Sequence, residues 1–219
     1  MSNYVLKYSR DERVKYISHL DFIRTFHRAV RRADIPMSFS HGFNPHPIMT
    51  VAMPLSVGMT AGGEYMKIGF ECDYSEQEIM DKLNESLPIG FKILAIKKVE
   101  GKELDFAKLD RAIYNVDVEC NDTSLFDAEV FMQNKELKVM KKSKSGIKEA
   151  DIRPYIYDFN VDLVNGNLIN ITMCLATGNT YNLKVDSVIE AMVKYTGGFN
   201  VEFFATHRTK ILAGDEELL

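Results

Sequence analysis

The chain has 219 residues, of which 46% are hydrophobic and 26% are charged, and its formal net charge is −4. That length suits one large domain or two small ones, and no apolar run approaches the roughly 18 residues that a membrane span needs. The negative charge argues against indiscriminate nucleic-acid binding, but it does not exclude a local basic patch.

The N-terminus lacks the basic-then-apolar character of a signal sequence, which predicts a cytoplasmic protein without a membrane partner. Three cysteines, Cys72, Cys120 and Cys174, are far apart, and no CxxC pair is present. We therefore expect buried, reduced thiols and neither a dedicated zinc nor an iron–sulfur site in this chain.

The first half of the chain has the predicted element order β-α-β-β-α-β. The expected elements are a strand at 4–8, a helix at 19–33, strands at 48–54 and 64–71, a helix from 76 to 86 and a strand at 91–99. Ser18 and Ser75 have the position of helix N-caps, and acidic residues follow each in the first turn. The first helix has an apolar stripe of Leu20, Ile23, Phe26 or His27, Val30 and Ala33.

The same order begins again after a charged linker at 101–108. The expected elements are a strand at 112–120, a short helix through 132, strands at 136–140, 157–164 and 168–175, a helix at 185–195 and a strand at 199–205. Asn165 and Gly166 are a strong hairpin signal between two of these strands. A basic, flexible insertion is expected at 141–146, and a short turn or helix start at 148–156.

This order predicts an α+β protein with two ferredoxin-like halves, the second interrupted by the basic insertion. The predicted domains are 1–100 and 109–210, with a tail at 211–219. No sequence repeat accompanies the repeated order, so the prediction depends on the order of elements alone.

The proline loop, Ser38 to Pro47, is the most constrained segment of the chain. Pro45 and Pro47 fix φ at alternate positions and restrict the residues before them, while Gly42 permits a turn that a side chain would resist. The polar and aromatic groups carried on this frame are expected to contact a ligand at low entropic cost. They are His41, Phe43, Asn44 and His46. The alternative is a rigid structural turn with local hydrogen bonds.

Three arginines of the first helix share one side, because Arg24, Arg28 and Arg31 stand at i, i+4 and i+7. Guanidinium groups match phosphate geometry, and the helix leads directly into the proline loop. We therefore predict an anionic ligand surface shared by this arginine row and the loop. The alternative is a solvated helix face.

A second basic segment contains Lys141, Lys142, Lys144 and Lys148, with Arg153 beyond it. Lysines on a segment with serine and glycine favour an electrostatic arm for a phosphate backbone, although a solvated loop has the same composition. Glu64, at a strand start after two glycines, is a further candidate binding residue. Asp151 has a sequence neighbourhood faintly similar to that of the catalytic aspartate in some pseudouridine synthases, although pairing with Arg153 or capping a turn explains it better.

His41 or His46 could also act as a general acid–base group, which would make the chain an RNA-processing or RNA-modifying enzyme. A metal site that adds His19 or His27 is disfavoured, since no spacing here is a known ligand signature and no carboxylate lies in the loop. The chain has no nucleophile elbow, phosphate-binding loop or dinucleotide fingerprint.

Several segments together resemble the bacterial radical-SAM-linked protein family, a domain family of unassigned function. The resemblance is specific over about residues 4–100 and looser afterwards. The segments that carry it are Val14 to Asp21, Arg31 to Ala33, Ser40 to Pro47, Pro54 to Gly58, Gly63 to Tyr65, Asp151 to Pro154 and His207 to Thr209. It adds His19 and Arg208 to the candidate binding residues.

The resemblance implies an accessory module that works with a separate radical S-adenosylmethionine enzyme, in tRNA or rRNA modification. S-adenosylmethionine and an iron–sulfur cluster are then expected on that partner, because this chain lacks the CxxxCxxC cluster motif. Three hypotheses remain open. The chain is an RNA-binding module, an enzyme acting on RNA, or a protein–protein adaptor without nucleic acid.

Overall fold

A computed structural model describes residues 2–71, 74–100, 105–143 and 146–219, without the side chains of residues 142, 143 and 163. The contacts between residues divide the chain into two compact units. The first unit is Met1–Lys108 together with Asp215–Leu219, and the second unit is Leu109–Gly214. No helix in the described ranges has the length and hydrophobicity that crossing a membrane requires.

The first unit is an antiparallel sheet with two helices. Its elements are β1 (Ser2–Arg10), α1 (His19–Arg32), β2 (Met49–Val51), β3 (Thr60–Phe70), α2 (Glu76–Ser86) and β4 (Phe91–Val99). The strands lie in the order β4-β1-β3-β2, and each neighbouring pair is antiparallel. The core fills the space between the helices and one face of this sheet, where alternate residues of β1, Tyr4, Leu6 and Tyr8, are buried.

Helix α1 begins where the sequence predicts, because the Ser18 hydroxyl accepts a hydrogen bond from the backbone N–H of Asp21 (3.2 Å). Its buried face differs from the predicted stripe, since it consists of Phe22, Phe26, Ala29 and Val30. Leu20 is 65% exposed. The register of the face is set by an aromatic cluster in which Phe22 and Phe26 pack against Tyr8 and Phe91.

Helix α2 is fixed at its start by a capping box. The Ser75 hydroxyl accepts from the N–H of Glu78 (3.2 Å), and the Glu78 carboxylate accepts from the N–H of Ser75 (2.8 Å). This hydrogen bonding holds the pKa of the Glu78 carboxyl below its usual value. The predicted buried residues Ile79, Leu83 and Leu87 all lie in the core.

The second unit has a four-stranded antiparallel sheet, two helices and a separate hairpin. Its elements are β5 (Arg111–Cys120), α3 (Ala128–Met132), β6 (Lys138–Ser143), β7 (Gly146–Asp151), β8 (Ile156–Asn165), β9 (Leu168–Ala176), α4 (Val185–Tyr195) and β10 (Val201–Leu212). The sheet order is β10-β5-β9-β8, and α4 packs on it through Val188, Ala191 and Met192. The α+β class is therefore confirmed.

The basic insertion is a β-hairpin and not a flexible arm, at least over its described residues. Lys141 is paired with Lys148 in the ladder that joins β6 to β7. Side chains of α4 bind the backbone of β6: Tyr195 Oη accepts from the N–H of Lys138 (2.8 Å), and Lys194 Nζ donates to the carbonyl of Lys138 (2.7 Å). The expected turn or helix start at 148–156 is a strand followed by a single 3₁₀ turn.

Burial raises the pKa of the Tyr65 hydroxyl to about 12, and the nearby Glu217 carboxylate adds to the shift. Tyr65 Oη donates to Glu217 Oε2 (3.4 Å), and Glu217 also forms an ion pair with Lys7. The pKa of Tyr65 in the folded protein exceeds the value of about 10 in the unfolded chain. The neutral Tyr65 hydroxyl therefore stabilises the fold below pH 10, and this contribution is lost as the pH rises toward 12.

We therefore expect the wild type to lose about 1 kcal/mol more stability between pH 9 and pH 11 than the Tyr65→Phe variant. Urea unfolding at the two pH values measures this difference. Tyr16→Phe is the control, because Tyr16 is 74% exposed. Equal pH dependence of the wild type and Tyr65→Phe would contradict the assignment.

Candidate functional site

The arginine row lies on the solvent-facing side of α1, where Arg24, Arg28 and Arg31 are all exposed. The amphipathic pattern of the helix produces this arrangement, since the opposite side is buried against the sheet. The next arginine, Arg32, has a different role: its Nη2 donates to the carbonyl of Ser86 (2.6 Å) and so ties α1 to the end of α2.

The three charges of the row are not equally available. Arg24 Nη1 lies 3.1 Å from Asp21 Oδ1. The pKa of the Asp21 carboxyl is held below its usual value, first by the hydrogen bond from the Ser18 hydroxyl and then by the one from Arg24. In the described part of the chain, no carboxylate forms an ion pair with Arg28 or Arg31. These two guanidinium groups are therefore the accessible positive charges of the row.

The proline loop projects from a short ladder that is anchored on β3. The N–H of Ser38 donates to the carbonyl of Gly69 (2.9 Å), and the N–H of Gly69 donates to the carbonyl of Ile48 (2.9 Å). Higher in the loop, the N–H of Ser40 donates to the carbonyl of His46 (2.8 Å), and the N–H of His46 donates to Ser40 Oγ (3.0 Å). The chain reverses at Gly42, which has a φ of +126°.

The side chains that the sequence assigns to this loop all face solvent. His41, Asn44, Pro45 and His46 are exposed, and Phe43 is fully exposed at the tip. Neither imidazole has a hydrogen-bond partner among the described side chains. The Phe43 ring is therefore accessible to a ligand.

The arginine row and the proline loop meet at a cleft of about 480 Å³ at the C-terminal end of α1. We call it the α1 cleft. It is lined by His27, Arg31, Asp34, Ile35, Pro36, Met37 and Phe39. Phe39 stands at the base of the loop, where its backbone pairs with Pro47, and its side chain is 44% exposed. Arg31 thus belongs both to the row and to the wall of a cleft that the loop completes.

Sequence reasoning missed three members of this cleft. His27 was a candidate for the core, and neither Asp34 nor Phe39 was singled out. Asp34 carries a sequence signal, because it follows the helix end and precedes Ile35 and Pro36, the position at which a left-handed residue closes a helix. Its φ of +54° is the only positive value of a non-glycine residue in the described ranges.

Several predicted binding residues lie away from this surface. Glu64 and Arg208 are buried, at 0% and 4% exposure, so neither side chain presents a surface to a ligand. Burial follows from their positions inside β3 and β10, because the second of these strands extends well past its predicted end. His19 is exposed at the start of α1, in the same turn as Asp21.

The basic residues of the second unit are engaged in its own structure. Arg153 donates from Nε and Nη2 to the carbonyl of Met132 (3.1 and 3.0 Å). Lys141 Nζ lies 3.7 Å from the centroid of the Tyr181 ring, which stacks on Tyr155 at 3.5 Å. The side chain of Lys142 and all of Lys144 lie outside the described residues. Asp151 caps the turn before Arg153, since its Oδ1 accepts from the N–H of Arg153 (3.0 Å).

Within the described residues, no group of three or more His, Cys, Asp or Glu side chains is placed to hold a metal ion. The second unit has an apolar groove of about 720 Å³ between α4 and β10. It is lined by Ile189, Glu190, Val193, Lys194, Val201, Glu202, Phe203 and Phe204.

Comparison with solved structures gives distant likenesses. A chain in the crystal structure of a Cbf5-Nop10-Gar1 complex has 9% identity and a TM-score of 0.49, over 95% of this chain and 48% of that one. The present chain thus spans about half the length of that protein. A protein of unknown function from Galdieria sulphuraria has 12% identity and a TM-score of 0.26, over 94% of this chain and 98% of its own.

A RAMP protein that binds different RNA substrates has 12% identity and a TM-score of 0.22, over 92% of this chain and 95% of its own. Likenesses at these scores carry no argument about function. No curated protein sequence matches the chain. A family model does match, over residues 3–185, and its description is an uncharacterized protein conserved in bacteria. The chain therefore belongs to this bacterial family, DUF2344.

Proposed function

We propose that this chain is an RNA-binding module that holds a single-stranded segment on the first unit. The binding surface consists of the arginine row, the α1 cleft and the exposed side of the proline loop. One observation carries the proposal: Arg31 is shared by a row of exposed guanidinium groups and by a cleft with an exposed aromatic wall. Positive charge for the backbone and an aromatic platform for bases are the two requirements of single-strand binding.

The spacing of the row fits a phosphate backbone. Arg24 and Arg31 are seven residues apart, which is a rise of about 10 Å along a helix and corresponds to about three nucleotides of a stacked strand. Guanidinium groups bind phosphate in a bidentate way, and no carboxylate in the described chain forms an ion pair with two of the three, Arg28 and Arg31. The net charge of −4 limits binding elsewhere on the surface and favours a localised site.

The aromatic groups supply the second requirement. Phe43 exposes its whole ring at the loop tip, and Phe39 exposes part of its ring in the α1 cleft. Stacking of a base on an exposed phenylalanine contributes about 1–3 kcal/mol and tolerates any base. RNA that is unpaired fits this surface better than a duplex, because only splayed bases can reach both rings.

The partner in this proposal is a separate radical S-adenosylmethionine enzyme, which would act on the RNA that this module presents. This part depends on the family resemblance described above. S-adenosylmethionine and the iron–sulfur cluster belong to that partner, and the reaction class is modification of tRNA or rRNA.

We also interpret both units as ferredoxin-like. In each sheet the two central strands are the first and the third strand of the β-α-β-β-α-β order, β1 with β3 and β5 with β9.

The proposal predicts that the protein binds a fluorescein-labelled single-stranded RNA of about ten nucleotides, and that Phe43→Ala weakens this binding by about 5- to 30-fold. Fluorescence anisotropy at low salt measures both values. Phe43 makes no core contact, so the variant retains its fold, and circular dichroism verifies this. Ile89→Ala removes another exposed apolar side chain, elsewhere in the unit, and is the control. No binding by the wild type at 50 mM salt would overturn the proposal.

The enzymatic alternative has weaker support. A partner group that orients the imidazole would favour general acid–base catalysis, and neither His41 nor His46 has such a partner among the described side chains. The enzymatic function remains a prediction. RNA cleavage or new modified nucleosides would support it, provided that the activity is lost in His46→Ala. In the adaptor alternative the proline loop docks onto the partner enzyme without nucleic acid, and co-purification of a partner with and without ribonuclease separates it from RNA-mediated association.

A further inference from the structure

The α1 cleft is lined by both a carboxylate and a guanidinium group, and the carboxylate restricts which ligands the cleft can bind. Asp34 and Arg31 both line the cleft, together with the apolar side chains of Ile35 and Met37 and the ring of Phe39. Its volume of about 480 Å³ lies within the roughly 300–1,000 Å³ of small-molecule clefts. A cleft that only bound phosphate would gain nothing from an acidic side chain, because the carboxylate repels the same anion.

The backbone at Asp34 has a conformation that aspartate adopts less readily than glycine. Helix α1 ends in a Schellman motif, in which the N–H of Ile35 donates to the carbonyl of Val30 (3.3 Å) and the N–H of Asp34 donates to that of Arg31 (3.2 Å). This motif places Asp34 in the left-handed region, at a φ of +54°. Glycine is the residue that this position favours, so aspartate here has a conformational cost.

The Asp34 side chain is also available to a ligand. It is exposed, and no basic group in the described part of the chain forms an ion pair with it. It therefore does not neutralise Arg31. A carboxylate with two free oxygens at the wall of an apolar cleft is an acceptor for a pair of adjacent N–H donors. Among the four RNA bases, only guanine has two such donors side by side on its Watson–Crick edge, N1–H and the N2 amino group.

We propose that the α1 cleft is a guanine subsite, in which the base stacks against Phe39 and donates from N1 and N2 to the Asp34 carboxylate. Arg31, which lines the same cleft, binds the phosphate of that nucleotide. This inference rests on the proposed function and specifies it: the chain prefers unpaired RNA that contains a guanine. The arginine row and Phe43 supply affinity for any sequence, while Asp34 supplies the selectivity.

The test compares octamers of uridine in which one central nucleotide is uridine, guanosine, inosine or adenosine, with anisotropy as the readout. We expect the guanosine octamer to bind the wild type about 10- to 100-fold more tightly than the adenosine octamer, the range of a good bidentate contact. Inosine lacks the N2 amino group, so its octamer should have an intermediate affinity. Guanosine monophosphate should compete more effectively than adenosine monophosphate.

Asp34→Asn and Asp34→Gly should abolish this preference, because the carboxylate that accepts from guanine N1 and N2 is removed. Asp34→Gly should also keep or raise the melting temperature by about 1–3 °C, since glycine suits the left-handed position. Glu85→Gln is the matched control, because it removes one exposed carboxylate of α2 that does not line the cleft.

The outcomes separate this inference from the proposed function. Binding of all octamers with equal affinity would overturn the guanine subsite and leave the RNA-binding function standing. A guanine preference that survives in Asp34→Asn and Asp34→Gly would also overturn it, since the contact would then lie elsewhere. No binding of any octamer at low salt would overturn the proposed function and the inference with it.

Discussion

Replacing Arg28 and Arg31 together with alanine is expected to weaken binding of single-stranded RNA by about 30- to 100-fold at low salt. Both guanidinium groups are exposed and have no carboxylate partner in the described chain, so their charge is available to phosphate. The alanine variant should also have a flatter salt dependence. Each phosphate contact contributes about 0.7 to the slope of log K against log salt for a single strand, so losing two lowers it by about 1.4.

Arg24→Ala should have a smaller effect than either of the other single substitutions. Its guanidinium group is already paired with Asp21 at 3.1 Å, and RNA must compete with this contact. The series therefore tests the geometry of the row as well as its charge. Anisotropy titrations at four salt concentrations between 25 and 200 mM give both the affinity and the slope for each variant.

The control is Lys92→Ala with Lys97→Ala, which removes two exposed positive charges from β4, outside the α1 cleft. It changes the net charge by the same amount, so a general electrostatic effect would be equal in the two double variants. Equal losses would refute a localised site. An unchanged slope in Arg28→Ala/Arg31→Ala would show that RNA, if it binds, does not use the arginine row.

Local signals in the sequence predicted the parts of the fold that depend on local chemistry. The Ser18 cap and the Ser75 capping box define the starts of α1 and α2, because both depend on residues within one turn. Helix α4 has the predicted bounds, 185–195, since its apolar residues recur at helical spacing. The exposure of the loop side chains also followed from local features, namely two prolines and one glycine.

Features that depend on pairing with distant residues were not predictable in the same way. The predicted strand started at 64, after Gly62 and Gly63, yet both glycines lie within β3, whose N-terminal part pairs with β1. The lysine-rich segment indicated a flexible loop, yet its described residues form a hairpin whose β6 strand binds side chains of α4. In both cases hydrogen bonds to distant parts of the chain override the local preference for a turn or loop. Strand formation depends on such context more than on the local sequence.

The α1 cleft could not be predicted from single positions, because its members come from a helix, a helix terminus and a loop base. Arg31 was identified through its spacing from Arg24 and Arg28, but spacing says nothing about which residue faces it across a cleft. Phe39 became part of the site only because its backbone pairs with Pro47. Sequence analysis therefore predicted the arginine row and Phe43, and the fold added Phe39 and Asp34 to the candidate surface.

Adjacent residues of α1 should show the largest contrast in stability, because Phe26 is buried and His27 is not. The Phe26 ring lies 4.6 Å from that of Phe22, 5.3 Å from Tyr8 and 5.6 Å from Phe91, measured between centroids, and its exposure is 0%. Phe26→Ala should lower the free energy of unfolding by about 3–5 kcal/mol, through lost burial and an unfilled cavity. That is a large share of a typical total of about 5–15 kcal/mol.

His27→Ala should change stability by less than about 0.5 kcal/mol, because the side chain lines the α1 cleft and fills no core position. Urea unfolding of both variants measures the contrast, and Phe26→Leu provides a milder substitution if Phe26→Ala does not fold. The sequence pattern admits either residue in the buried stripe, since each completes helical spacing with Ile23 and Val30. Similar losses in the two variants would mean that α1 is rotated relative to the sheet, and the arginine row would then face a different direction from the one that the RNA-binding surface requires.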